Sequence, residues 1–187
     1  MPGIHVKPLT PPDPPLHDDA IRLEPLAQAH GRELLAILGD PDIVRFTRVP
    51  PDPDETWVAG WIARYESGWE DASRAAFAIY AHDDDALLGW AGLVELDRER
   101  RQGEIGYLVA PAARGRGVAH RTVTLLTRWG FDELGLERLE LRIDPENVPS
   151  TKVAERAGYR LEGVLRNLHF KGDLRADLGV WSRLRQD

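Results

Sequence analysis

Two arginines interleaved with two glycines, Arg114-Gly115-Arg116-Gly117, stand between a strand-like run, Glu104 to Ala110, and a long amphipathic stretch that opens at Val118. Such a segment can hold an anion. Its glycines let backbone amides converge, the following helix presents unpaired N–H groups and the positive end of its dipole, and the arginines add charge-assisted contacts. A diphosphate suits it. The same composition also fits a basic turn that merely starts a helix. Two familiar phosphate loops are excluded, because no Gly-Lys-Ser/Thr follows the glycines and no GxGxxG opens a parallel βαβ unit.

Other chemistries find less support. The six histidines, at 5, 17, 30, 82, 120 and 169, show no ligand spacing, and with no Cys there is neither a disulfide scaffold nor a cysteine zinc site, so no metal is expected. Gly-x-Ser-x-Gly is absent, which argues against a nucleophile-elbow hydrolase. The net charge of -7, from 31 acidic against 24 basic residues, disfavours a nucleic-acid partner and more easily accommodates a cationic substrate or a basic protein. No apolar run nears the roughly 18 residues of a membrane span, and the N-terminal stretch has no apolar core of a secretory signal. A cytoplasmic protein with no membrane partner is expected.

The elements that position the loop follow from periodicity. Residues 1–19 hold six of the 14 prolines and are expected to be an extended or disordered tail. One domain, 20–187, follows. It opens with a strand near Ile21 and Leu23, a helix through Leu26, Leu34, Leu35 and Leu38 ending near Gly39-Asp40-Pro41, and a helix from Glu55 to Tyr65. In that helix Trp57, Trp61 and Tyr65 share one face, which suits a core more than a pocket. Three strands, Ala75 to Ala81, Leu87 to Leu96 and Glu104 to Ala110, suggest an antiparallel meander. A helix from Val118 to about Leu134, a strand at Leu139 to Ile143, a short helix over 149–157 and strands at Tyr159 to Leu165 and Leu178 to Leu184 complete the domain.

Arg114-x-x-Gly117-x-Ala119 resembles the Arg/Gln-x-x-Gly-x-Gly/Ala signature of the GCN5-related N-acetyltransferases, with its strand and helix in that family's places. Asn147-Val148-Pro149-Ser150, with Gly158-Tyr159 eleven and twelve residues after Asn147, resembles the family's second segment. Glu104-Ile105-Gly106-Tyr107 and the placement of Ser150 resemble the RimJ/RimL branch, whose members acetylate ribosomal-protein N-termini.

The resemblance implies an α+β, GNAT-like fold with a mixed, mainly antiparallel sheet of six or seven strands and about four helices. It implies acetyl-CoA as donor, bound by Leu108, Val109, Arg114, Gly115, Arg116, Gly117, Val118, Ala119, Asn147 and Ser150. A backbone amide from Leu108 to Ala110 would hold the oxyanion, while Arg121 suits an exposed helix position better than a phosphate contact. Glu104 is the first candidate for the base, although its alternation with Ile105 fits a solvated face equally well, and Glu95 is the reserve. Many members keep a Tyr seven residues after the Asn to protonate the thiolate, but Ala154 stands here. Ser150 is the implied replacement, unless it simply caps its helix. Tyr159 suits the core. The expected acceptor is a protein N-terminal α-amine, selected by a pocket near Trp57, Trp61 and Trp69. A small cationic amine or an amine-bearing antibiotic, a longer or succinyl donor, a non-catalytic acyl-CoA sensor and a homodimer all stay open.

Overall fold

The computed structural model describes residues 8–171 and 174–187. Eight strands form one sheet: β1 (Leu16–His17), β2 (Ile21–Pro25), β3 (Ala75–Ala81), β4 (Leu87–Asp97), β5 (Gln102–Val109), β6 (Arg138–Ile143), β7 (Arg160–Lys171) and β8 (Leu174–Leu184). Their spatial order is β1-β2-β3-β4-β5-β6-β8-β7, and every pairing is antiparallel except β5 with β6. Five α-helices flank them: α1 (Gly31–Leu38), α2 (Pro41–Phe46), α3 (Glu55–Asp71), α4 (Val118–Asp132) and α5 (Val148–Arg156).

The apolar run of β3 is continuous because the strand is buried on both faces. Ala75, Phe77 and Ile79 pack toward α4 through Val123, Leu126 and Trp129, whereas Ala76, Ala78 and Tyr80 pack toward α1 and α3 through Leu34, Leu38 and Ile62. A sheet between two helical layers results, and it carries the same parity into the strand that bears the site.

β5 and β6 pair only from Gln102–Glu104 to Arg138–Glu140. Beyond those residues β5 stays with β4 as far as Val109, while β6 stays with β8 as far as Ile143. The sheet therefore parts at Glu104, and the C-terminal half of β5 is left with one open edge.

The structure adds one strand and one helix to those expected and lengthens others. β1 forms within the Pro-rich segment, where the Leu9 side chain is buried and its N–H donates to the Trp69 carbonyl at 2.8 Å. Gly39-Asp40-Pro41 ends α1 and also starts α2, because Asp40 caps the new helix by accepting from the Ile43 N–H at 3.1 Å and Pro41 takes its first turn. α3 runs six residues past Tyr65 to Asp71, and the β7–β8 hairpin extends well beyond Leu165. No helix among the described residues is long and apolar enough to cross a membrane.

Candidate active site

Alternation along β5 divides its side chains between two cavities. Ile105, Tyr107 and Val109 pack with the α4 layer, and Leu108 packs with the opposite one. On that opposite side Gly106 leaves room for Val94, whose methyl would lie 2.8 Å from an added Cβ. Val94 is the extra residue of a bulge where β4 and β5 slip register between Leu93 and Glu95.

The first cavity, about 500 Å³, lies where the sheet parts, between α2, the start of α4 and α5. Leu108, Val109, Arg114, Gly115, Gly117, Val118, Ala119, Asn147 and Ser150 all line it, and of the residues expected there only the exposed Arg116 does not. Gly115 and Gly117 have φ of 76° and 80°, in the left-handed region that favours glycine. Nothing lies near where their Cβ atoms would stand, so the loop backbone is open. Gly117 precedes α4 without any side-chain cap, leaving the first amides of the helix unsatisfied.

Alternation also identifies the available amides of β5. The Ala110 N–H donates to Leu88 O at 2.8 Å, so Leu108 and Ala110 direct their backbones toward β4 while Tyr107 and Val109 direct theirs to the open edge. The Val109 carbonyl accepts from Arg114 Nε at 3.3 Å, as that geometry requires. Of the amides from Leu108 to Ala110, only that of Val109 therefore faces the open edge, and Leu108 contributes its side chain to the wall.

Arg114 also binds Asp40 and Asp42 of the α2 N-terminus, the latter at 3.1 Å. An arriving anion must exchange with those carboxylates. Arg121 binds Asp18 and Asp19 and fastens the N-terminal segment to α4 rather than reaching the loop.

On α5 the cap is Asn147, whose side-chain oxygen accepts from the Ser150 N–H at 3.2 Å. Ser150 is therefore not the cap. Across from it the Tyr107 hydroxyl is buried without completing a hydrogen bond. Burial pushes the Tyr107 phenol up to about 12, a rise that the nearby Ser150 side chain tempers. Ala154 is fully buried, and Tyr159 is a core residue whose hydroxyl meets Thr127 Oγ1 at 2.7 Å.

The second cavity, about 490 Å³, opens on the other side of β5 and shares Phe46, Thr47, Tyr107 and Leu108 with the first. Glu104 faces it, with 19% of its side chain exposed. Desolvation raises its carboxyl to about 7, against the pull of Arg142, whose Nε lies 3.2 Å away, and with a further push from Glu95. Glu95 lines the same cavity but is exposed. Trp57 and Trp61 stack at 5.6 Å, and Trp61 also meets Tyr65 and Trp90, so this aromatic cluster is core and pocket wall at once. Trp69 is not part of it, since it packs against Phe77 and Trp129 in the α4 layer.

The sequence profile of the acetyltransferase (GNAT) domain matches residues 20–160. The chain belongs to the GNAT acetyltransferase family. It is 25% identical over 172 residues to the "uncharacterized N-acetyltransferase p20" of Bacillus licheniformis, covering 92% of this chain and 97% of that protein. The spermidine N(1)-acetyltransferase of Escherichia coli is 29% identical over 106 residues, 57% of this chain and 56% of the relative. The solved structure of the ribosomal L7/L12 α-N-protein acetyltransferase RimL, in complex with coenzyme A, superposes with a TM-score of 0.81 at 14% identity, covering 89% of this chain and 95% of that one. That likeness is one of fold.

The protein is thus an acetyl-CoA-dependent N-acetyltransferase of the GNAT fold. Its parted sheet, open glycine loop and uncapped α4 match what acetyl-CoA requires: strand-like pairing for the pantetheine arm and converging amides for the diphosphate. Four contributing side chains were not anticipated from the sequence. Phe46 and Thr47 come with α2, which the Asp40-Pro41 start signal could have disclosed. Arg142 and Tyr107 carry no local signal, because their roles arise only from strand parity and the parting of β5 from β6.

Proposed function

We propose that this GNAT enzyme acetylates the α-amine of a polypeptide N-terminus, with Glu104 as base and Ser150 at the departing sulfur. The observation that carries the reading is the meeting of the two cavities at Tyr107 and Leu108, with Glu104 facing one and Ser150 the other. An acceptor entering beside Glu104 meets an acyl group delivered along β5.

The acidity of Glu104 supports an α-amine. A base near 7 is well matched to an α-ammonium of about 8. Against a lysine or polyamine ammonium of about 10.4 the same transfer is uphill by more than three decades. Glu104 takes a proton from the ammonium, and the neutral nitrogen attacks the thioester carbonyl. The Val109 N–H at the open edge stabilises the oxyanion. The nitrogen then releases its remaining extra proton to solvent, the C–S bond breaks, and Ser150 donates a hydrogen bond to the departing thiolate. Tyr107, protonated throughout the working pH range, supports Ser150 from behind. The RimJ/RimL-like residues Glu104 to Tyr107 and Ser150 agree with this choice of acceptor.

The test is mass spectrometry of peptides that carry both a free α-amine and a lysine, after incubation with acetyl-CoA. Acetylation at the α-amine with the lysine untouched is expected. Equal modification of both amines, or turnover of spermidine as rapid as that of the peptide, would overturn the reading.

A further inference from the structure

The second cavity carries a charge pattern opposite to that of the whole molecule. Four arginines line it, Arg48, Arg64, Arg74 and Arg142, in a chain whose net charge is -7. Its carboxylates are Glu95, Glu104 and Asp144. Arg142 is committed to Glu104 and Glu140, at 3.2 and 3.4 Å, and Arg74 lies over the Tyr65 ring at 5.8 Å. Arg48, which follows α2, and Arg64, on α3, have no described carboxylate oxygen within 4 Å, although the charge of Arg48 is felt at Glu104. They approach from two elements, so the positive charge is spread around the mouth of the cavity rather than along one helix. With Glu104 only partly ionised at neutral pH, the lining is net cationic.

A cationic acceptor would meet this wall at a disadvantage, because like charges facing each other across a partly desolvated cavity repel. An acceptor with a carboxylate close to its amine gains charge-assisted contacts to guanidinium groups while the amine reaches Glu104. We propose that the cavity selects a primary amine that carries a carboxylate, with Arg48 and Arg64 as the specificity determinants. The inference deepens the acetyl-transfer reading and rests on it for the position of the amine. It reverses what net charge alone suggests, since the local field at the site, and not the total, acts on the substrate. The carboxylate can come from an acidic residue beside a polypeptide N-terminus or from a free amino acid.

The experiment measures calorimetric binding to the enzyme–CoA complex and thiol release with acetyl-CoA, for one short peptide with Asp, Asn or Lys at its second position, and for free glutamate. The Asp peptide is expected to bind and to turn over at least about 10-fold better than the Asn peptide, with the Lys peptide poorest. Arg48→Gln and Arg64→Gln should raise KM for the Asp peptide more than for the Asn peptide and so narrow the preference between them. Arg64→Glu should move the preference toward Lys, a response that mere loss of packing cannot produce. Stronger use of glutamate than of any peptide would name a small molecule as the source of the carboxylate. Equal binding of all three peptides, or a preference untouched by the arginine variants, would overturn the inference. Charge-selective binding without turnover would leave it standing and overturn the transfer reading alone.

Discussion

The two cavities on either side of β5 are built from different materials. The cleft that suits the donor is built on backbone: the open edge of β5, the left-handed glycines 115 and 117, and the uncapped start of α4. The second cavity, proposed for the acceptor, is made of side chains that converge from α3, β4, β5, β6, β7, β8 and the segment after α2. A backbone site demands particular residues at fixed spacing and so leaves a motif. A site of converging side chains tolerates exchange at each position, and its chemistry can differ between proteins that share the donor cleft.

The largest effect should come from the acceptor side. Glu104→Gln is expected to lower kcat by about 10²- to 10⁴-fold while acetyl-CoA binding persists, as calorimetry beside turnover will show. In the wild type kcat should climb with pH through about 7 as Glu104 loses its proton, and this limb should vanish in the variant. Arg142→Gln should move the limb to higher pH, because it removes the charge that favours the carboxylate. The linkage has a definite sign. A carboxyl raised from 4.5 to about 7 binds more protons in the folded than in the unfolded state between those values, so stability falls as pH rises across that window. Glu104→Gln should flatten that slope in thermal melts.

Gly117→Val tests the donor side. It forces a β-branched residue to φ of 80° and places its side chain in the cleft, so acetyl-CoA affinity should drop by at least about 10-fold. Unchanged affinity would sever the loop from the diphosphate. Next comes Ser150→Ala, expected to lower kcat by about 10-fold with acetyl-CoA binding and melting temperature kept. Its contrast is Asn147→Ala, which removes the cap of α5 and should cost about 1 kcal/mol of stability. The smallest effect should be that of Asp42→Asn. It releases Arg114 from one of two competing carboxylates and should tighten acetyl-CoA by about 2-fold in the same titration.

The contrast between the cavities also explains what the sequence disclosed. β3 to β5, α4 and the glycine loop were legible because burial on a fixed period and a special φ both constrain residue type. Glu104 was recognisable as a candidate, but Ile105 beside it fits a buried or a solvated partner equally well. Only its position where β5 leaves β6 decides that it faces a cavity. α2 was hidden because Gly39-Asp40-Pro41 reads as a stop, and a helix of six residues is too short to show a period. The arginines that line the second cavity lie at 48, 64, 74 and 142, and only the tertiary fold makes them neighbours.

Because Phe46, Thr47, Tyr107 and Leu108 border both cavities, the seats proposed for donor and acceptor adjoin. One molecule could occupy both. A peptide tethered through its N-terminus to the sulfur of CoA by a two-carbon bridge would present each half to the other's site at high effective concentration. Lengthening the bridge one methylene at a time would turn such a conjugate into a molecular ruler, and the tightest member of the series would report how far the nitrogen travels to reach the acyl carbon.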